Sequence, residues 1–229
     1  MLYIRKSCER GRANHGWLDA RHSFSFGQYY DPDFMGFSDL RVINEDRVAP
    51  TMGFGTHPHK DMEILTYVLA GAITHKDSMG NVKDFVAGEF QIMSAGTGVT
   101  HSEFNPSDSQ TLHLLQIWIQ PNEFGIAPRY DQKRFDDKQG GTLILSPNGD
   151  DGSFKVYQDA KLWRYQYTKD DKDNILLNQN RHYWLQMVKG DLSINGNALH
   201  QGDGVAMGEL CACDVVADSD CEFLLFDLR

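Results

Sequence analysis

The amino-acid sequence predicts an all-β fold made of two similar units, and three features predict it. Short apolar–polar alternations recur along the chain, each ended by glycine, proline or asparagine, which is the pattern of half-buried strands. Few longer windows keep apolar residues at helical spacing. A set of glycines with their neighbours recurs at a fixed offset, as expected when one β-unit occurs twice.

Taken in order, the alternation places strands at Glu63–Leu69, Asp84–Met93, Thr111–Ile119, Tyr183–Val188, Gly204–Met207 and Glu222–Leu228. The repeat pairs the run Tyr67–Gly71 with Met187–Gly190. It also pairs the turn Gly80–Asn81 with Gly196–Asn197, and Gly88, Glu89 and Met93 with Gly202, Asp203 and Met207 at an offset of 114. Glycine-punctuated hairpins at matching spacing imply two β-units. The organisation expected is a first unit over residues 1–123, a Pro-, Gly-, Asp- and Lys-rich linker over 124–157, and a second unit over 158–229.

Composition sets the outer bounds. The 229 residues are 41% hydrophobic, enough to bury a core, so wholesale disorder is excluded. A net charge of −10 suits neither nucleic acid nor an anionic membrane as a broad electrostatic partner. The excess is concentrated: residues 184–229 carry only Lys189 and Arg229 against eight acids. The opening segment lacks the apolar stretch of a signal peptide, and no segment reaches the roughly twenty apolar residues of a membrane span. Four cysteines, Cys8, Cys211, Cys213 and Cys221, form no zinc-type pairs. A soluble, cytoplasmic, reduced monomer is expected. No dinucleotide fingerprint, phosphate-binding loop or serine-nucleophile elbow is present.

The chemistry concentrates in two short motifs. His57-Pro-His59 and His101-Ser-Glu103 each place two metal-binding side chains at i and i+2, which in an extended strand share one face. If the two strands meet inside one unit, three imidazole nitrogens and one carboxylate converge. That set suits a divalent first-row metal and leaves open positions for chemistry. Glu63 is a rival carboxylate, because it follows His59 by four residues. Glu103 shares the face of His101 automatically, and a barrel-facing Glu103 left off the metal would be a costly buried charge. Glu103 is therefore the carboxylate chosen.

These segments carry a resemblance. His57-x-His59-x3-Glu63-x7-Gly71 and Gly88-x5-Ser94-Ala-Gly96-x4-His101-Ser-Glu103-Phe-Asn105 resemble the two cupin motifs. Three departures stand out: an extra residue before Gly71, serine at position 94 where proline is usual, and His101 two residues late after Gly96. Together with His15-Gly-Trp-Leu-Asp-Ala-Arg-His22-Ser-Phe-Ser-Phe and Phe90-Gln-Ile-Met-Ser-Ala-Gly-Thr-Gly, they make the chain similar to the pirin family over essentially its whole length. The likeness is especially to bacterial pirin-like quercetin 2,3-dioxygenases.

The resemblance implies a bicupin of two stacked β-barrels, with metal in the first only. It implies His57, His59, His101 and Glu103 as ligands, because pirins use the glutamate two residues after the third histidine. Fe(II) is the first expectation for the ion, with Mn, Cu, Ni, Co or Zn as options. The implied reaction is dioxygenation of a flavonol-type phenolic substrate by O2 with loss of carbon monoxide, Glu103 acting as general base. The other reading implied is a non-catalytic metal or redox sensor that acts as a transcriptional co-regulator, with the acidic second unit as its protein-binding surface.

Offset 114 carries His101 and Glu103 onto Val215 and Ala217, and offset 119 carries His57 and His59 onto Leu176 and Asn178. No ligand set survives in the second unit, whatever the family. His15, His22, His75 and His113 are either groups that orient the metal ligands by hydrogen bonding or ordinary surface or partly buried histidines, and the ordinary reading is preferred. Asp77–Asn81 reads as a hairpin turn. Phe54, Phe90, Met93 and Trp118 read as pocket or core, and Cys211 with Cys213 as buried thiols.

Overall fold

The computed structural model describes residues 2–229. The regular secondary structure is nearly all strand, and the chain divides into two compact units. One spans Gly11–Phe135; the other joins the first residues up to Arg10 to Asp136–Arg229.

In the Gly11–Phe135 unit a seven-stranded sheet runs, edge to edge, Arg129–Arg134, Glu89–Ser94, Glu63–Ala70, Leu112–Ile119, Leu40–Val48, Leu18–His22 and Gly11–Asn14. A four-stranded sheet runs Gly53–His59, Val99–Phe104, Ala72–Asp77 and Val82–Val86. Every neighbouring pair in both is antiparallel. Alternate side chains of the large sheet (Leu18, Ala20, Val48, Val68, Leu112, Leu114) pack on Ile73 and Phe85 of the small one. Strands such as Leu18–His22 and Ala72–Asp77 bury one face, as alternation forecasts, whereas Leu40–Val48, Glu63–Ala70 and Glu89–Ser94 are buried along most of their length.

The other unit repeats the plan. Its seven-stranded sheet runs Leu2–Arg5, Gly204–Gly208, His182–Lys189, Cys221–Leu228, Lys161–Tyr167, Gly140–Ser146 and Phe154–Lys155. Its four-stranded sheet runs Lys172–Leu176, Ala212–Ala217, Leu192–Ile194 and Asn197–Leu199. The repeated glycines adopt matching backbone: φ is 78° at Gly71 and 72° at Gly190, and 86° at Gly88 and 84° at Gly202. Only glycine takes such values freely, so the repeat is a repeat of turns.

Three expectations are revised. The stretch 124–157, expected as a linker, contributes Arg129–Arg134 to one unit and Gly140–Ser146 and Phe154–Lys155 to the other. Arg129–Arg134 reads polar because it is a half-exposed edge strand. Residues 2–10 belong with the second unit, because Leu2–Arg5 pairs with Gly204–Gly208. The single strand expected at Asp84–Met93 is two, Val82–Val86 and Glu89–Ser94, divided where Gly88 turns the chain. Among the described residues no helix is long and apolar enough to cross a membrane.

Candidate metal centre

Gly53–His59 and Val99–Phe104 lie side by side in the small sheet, with His101 opposite His57 and Glu103 opposite Phe54. Two steps on one strand therefore face three on the other, and the extra residue is a β-bulge that turns both Phe54 and His57 toward the same side. Gly53 permits this approach, since a Cβ there would lie 2.2 Å from the Glu103 carbonyl oxygen and 2.5 Å from the Phe104 Cα.

The three histidine rings converge. Ring centroids are 4.4 Å apart for His57 and His101, 4.8 Å for His57 and His59, and 4.9 Å for His59 and His101. One nitrogen from each lies within 4.8 Å of the others. A second group overlaps it: His75, His101 and Glu103, all buried, bring their donor atoms within the same distance. Glu103 lies with His101 and His75; it does not belong to the His57–His59–His101 triangle by that measure. His75 stands opposite Glu103 on the neighbouring strand, so it lies in the centre that sequence reasoning left it out of.

Hydrogen bonds fix which nitrogens remain free. His57 donates its Nδ1–H to the Gly55 carbonyl at 2.8 Å, which leaves its Nε2 lone pair outward. His75 donates Nε2–H to Asp77 Oδ2 at 3.0 Å, and its buried Nδ1 has no partner. Asp77 is itself held by the turn it closes, accepting from the backbone N–H of Met79 and Asn81 and from the Asn81 amide. The expected hairpin turn is thus also a support for His75. His101 is 1% exposed, and neither of its ring nitrogens has a hydrogen-bond partner.

Burial sets the protonation. It pushes His101 down to about 3, with the nearby imidazoles of His57, His59 and His75 adding to the effect, and His59 down to about 4, with His57 adding. Both rings therefore present neutral lone pairs at neutral pH. Burial pushes Glu103 up to about 7 against the opposing hydrogen bonds from Gln116 and Thr66. Glu103 Oε2 accepts from the Gln116 amide at 3.1 Å, while Oε1 has only the Thr66 hydroxyl at 3.5 Å. That hydroxyl lies closer to Gln116 Oε1, at 2.7 Å.

Glu63, the rival carboxylate, is buried elsewhere. Its Oε2 accepts from the Ser94 hydroxyl at 2.9 Å and lies 3.8 Å from an Arg129 nitrogen.

His101, buried with no partner on either ring nitrogen and flanked by other imidazoles and a carboxylate, offers one lone pair that fits a divalent first-row metal ion.

The remaining singled-out residues lie in ordinary surroundings. His113 Nε2 meets Glu45 at 2.9 Å, and His22 Nδ1 meets Asn44 at 2.8 Å. Trp118 stands edge-on to His59 at 4.9 Å, whereas Phe90 and Met93 are core. Cys213 is buried as expected; Cys211 is exposed, because it precedes the strand Ala212–Ala217 instead of lying in it.

In the other unit the strand Ala212–Ala217 occupies the place of Val99–Phe104. Val215 and Ala217 are buried there among Leu192, Ile194 and Leu225. Val215 stands opposite Asp173, as His101 stands opposite His57. The strand register thus shifts the match of His57 from Leu176 to Asp173, whose carboxylate accepts from the Tyr167 hydroxyl at 2.5 Å.

Comparison with known proteins gives a consistent result. Residues 4–119 match the family described as Pirin, and residues 143–228 match the quercetinase C-terminal cupin domain. An Escherichia coli protein named quercetin 2,3-dioxygenase is 58% identical over 228 residues, covering 100% of this chain and 99% of that protein. A pirin-like protein of Caulobacter vibrioides is 39% identical, covering 95% of each. The crystal structure of the Escherichia coli bacterial pirin YhhW in complex with nickel(II) superposes with a TM-score of 0.97 at 57% identity, covering 100% of this chain and 99% of that one.

Proposed function

The chain belongs to the pirin family and has the bicupin fold, and from that premise we propose that it is a metal-dependent dioxygenase of flavonol-type substrates. His57, His59, His101 and Glu103 are the proposed ligands of one divalent ion, with Fe(II) the ion expected. The observation that carries this reading is His101, buried with both ring nitrogens unpartnered among two other imidazoles and next to a carboxylate. The names of the relatives give the substrate class.

A bound divalent ion would supply Lewis acidity toward a substrate hydroxyl oxygen and a redox-competent centre for O2. The chain's own residues do the rest. His57 is held in one tautomer by the Gly55 carbonyl, so its Nε2 is always the free donor. Gln116 holds Glu103 through Oε2, leaving Oε1 the less engaged oxygen and the proposed acceptor of the substrate hydroxyl proton. Trp118 covers one side of His59.

The test is elemental analysis of protein purified without added metal, followed by oxygen uptake with quercetin and simpler phenols. One metal per chain and metal-dependent uptake, both lost in His101→Ala, are expected. Full metal content in His101→Ala would overturn the ligand set. Absence of uptake by the fully loaded protein would overturn the oxygenase reading and favour the sensor.

A further inference from the structure

A cavity of about 580 Å³ lies in the Gly11–Phe135 unit, lined among others by His15, His22, Tyr29, Asn44, Asp46 and Phe54. That volume falls within the range of pockets that hold drug-sized molecules. The walls differ in character. His22 lies nearly parallel to Tyr29, with ring centroids 6.2 Å apart and an interplanar angle of 21°, and Leu18 and Ala20 add aliphatic surface. Asn44 and Asp46 form the polar part, on the face of the strand Leu40–Val48 that also carries the core residue Val48.

Asp46 is the unexplained residue. It is 5% exposed, and its buried Oδ1 has no hydrogen-bond partner. Its neighbour Glu45 is bound by Arg47 and His113, so the bare carboxyl is not a general feature of this strand. A buried, unsatisfied carboxyl on a cavity wall is costly unless something arrives to pair with it.

The cavity shares neighbours with the candidate centre. Phe54, on its wall, is the cross-strand neighbour of Glu103. Phe26, also lining it, meets the edge of Trp118 at 5.4 Å, and Trp118 meets His59 at 4.9 Å.

We propose that this cavity is the binding site for a planar, oxygen-bearing aromatic ligand, and that Asp46 determines its specificity by hydrogen-bonding a ligand oxygen. The proposal rests on the oxygenase reading only for the identity of the ligand as substrate. Burial, with the negative charges of Glu103 and Glu45, pushes Asp46 up to about 8. Its unpartnered Oδ1 can accept from a phenolic hydroxyl, and in the protonated form that burial favours the carboxyl can donate to a carbonyl oxygen. The aromatic walls supply the flat apolar surface that such a ring system stacks against.

The experiment measures quercetin affinity of the metal-loaded protein under argon, where no turnover occurs, by calorimetry, with metal content measured in parallel. Asp46→Ala is expected to weaken binding at least about tenfold at unchanged metal content, as loss of a buried hydrogen bond does. Asp46→Asn keeps a donor and is expected to stay within about threefold. Ala13→Trp, which fills the cavity from its lining, is expected to abolish binding and decides the matter if Asp46→Ala does not fold.

Wild-type affinity in Asp46→Ala or in Ala13→Trp would overturn the site while leaving the oxygenase reading intact. Tighter binding of the aromatic amine tyramine than of quercetin would overturn the ligand class, since it would mark Asp46 as an anion seeking a cation. Binding that depends on Asp46 as described, with no oxygen uptake in air, would support the site and sink the oxygenase reading alone.

Discussion

The Ser94 hydroxyl donates to Glu63 Oε2 at 2.9 Å while accepting from Arg129 Nε at 2.8 Å. Position 94 is where this sequence departs from the usual cupin proline. The departure has a physical consequence: the serine hydroxyl bridges Arg129 and Glu63, the rival carboxylate of the histidine motif.

Ser94→Ala removes that hydrogen bond from Glu63, which is 2% exposed. The loss expected is about 1–3 kcal/mol of stability, the usual cost of removing a hydrogen bond to a buried charged acceptor. Metal content should hold, because Glu63 is not among the proposed ligands. Thermal melts and elemental analysis of the same preparation check both halves.

His101 has no protein partner for either nitrogen, and one of them is the proposed metal donor. Added divalent metal is expected to raise the melting temperature of chelator-treated wild-type protein, because a ligand that binds only the folded state stabilises it by mass action. His101→Ala should abolish that rise. An equal rise in both proteins would locate the ion elsewhere.

Gly53 allows the bulged strand to lie against Glu103. Gly53→Ala is expected to push the two strands apart, lowering metal affinity together with stability, since overpacking typically costs about 1–3 kcal/mol. Competition with a chromogenic chelator measures the affinity directly.

Much of this was legible in the sequence, and the exceptions share a cause. Leu112–Ile119 announced itself by alternation, and Glu63–Ala70, buried on both faces, by its apolar run. The motif histidines did so by i, i+2 spacing. Arg129–Arg134 did not, because a half-exposed edge strand with no fully buried residue has no hydrophobic face to write into the sequence. His75 and Asp46 were unreadable for a different reason. Their importance lies in what surrounds them: His75 is opposite Glu103 only through cross-strand register. Asp46 gains its proposed role from a cavity assembled by four separate strands and the loops beside them.

Asp46 also makes the pH dependence of stability testable. Its folded value, about 8, lies above the ordinary 3.8, so between those values the folded chain holds a proton that the unfolded chain has released. Stability then falls as pH rises through that window. Glu103, raised to about 7, acts in the same direction. His59 and His101, lowered to about 4 and 3, act oppositely: the unfolded chain binds their protons first, so stability falls as pH drops below about 6.5. Comparing wild type with Asp46→Asn in metal-free protein cancels the two histidines and leaves the Asp46 contribution. The variant should match the wild type near pH 4 and become progressively more stable than it up to about pH 8, where the difference levels off. Denaturant melts at intervals across that range give the curve. A constant difference at every pH would mean that Asp46 ionises in the folded protein as freely as in the unfolded chain.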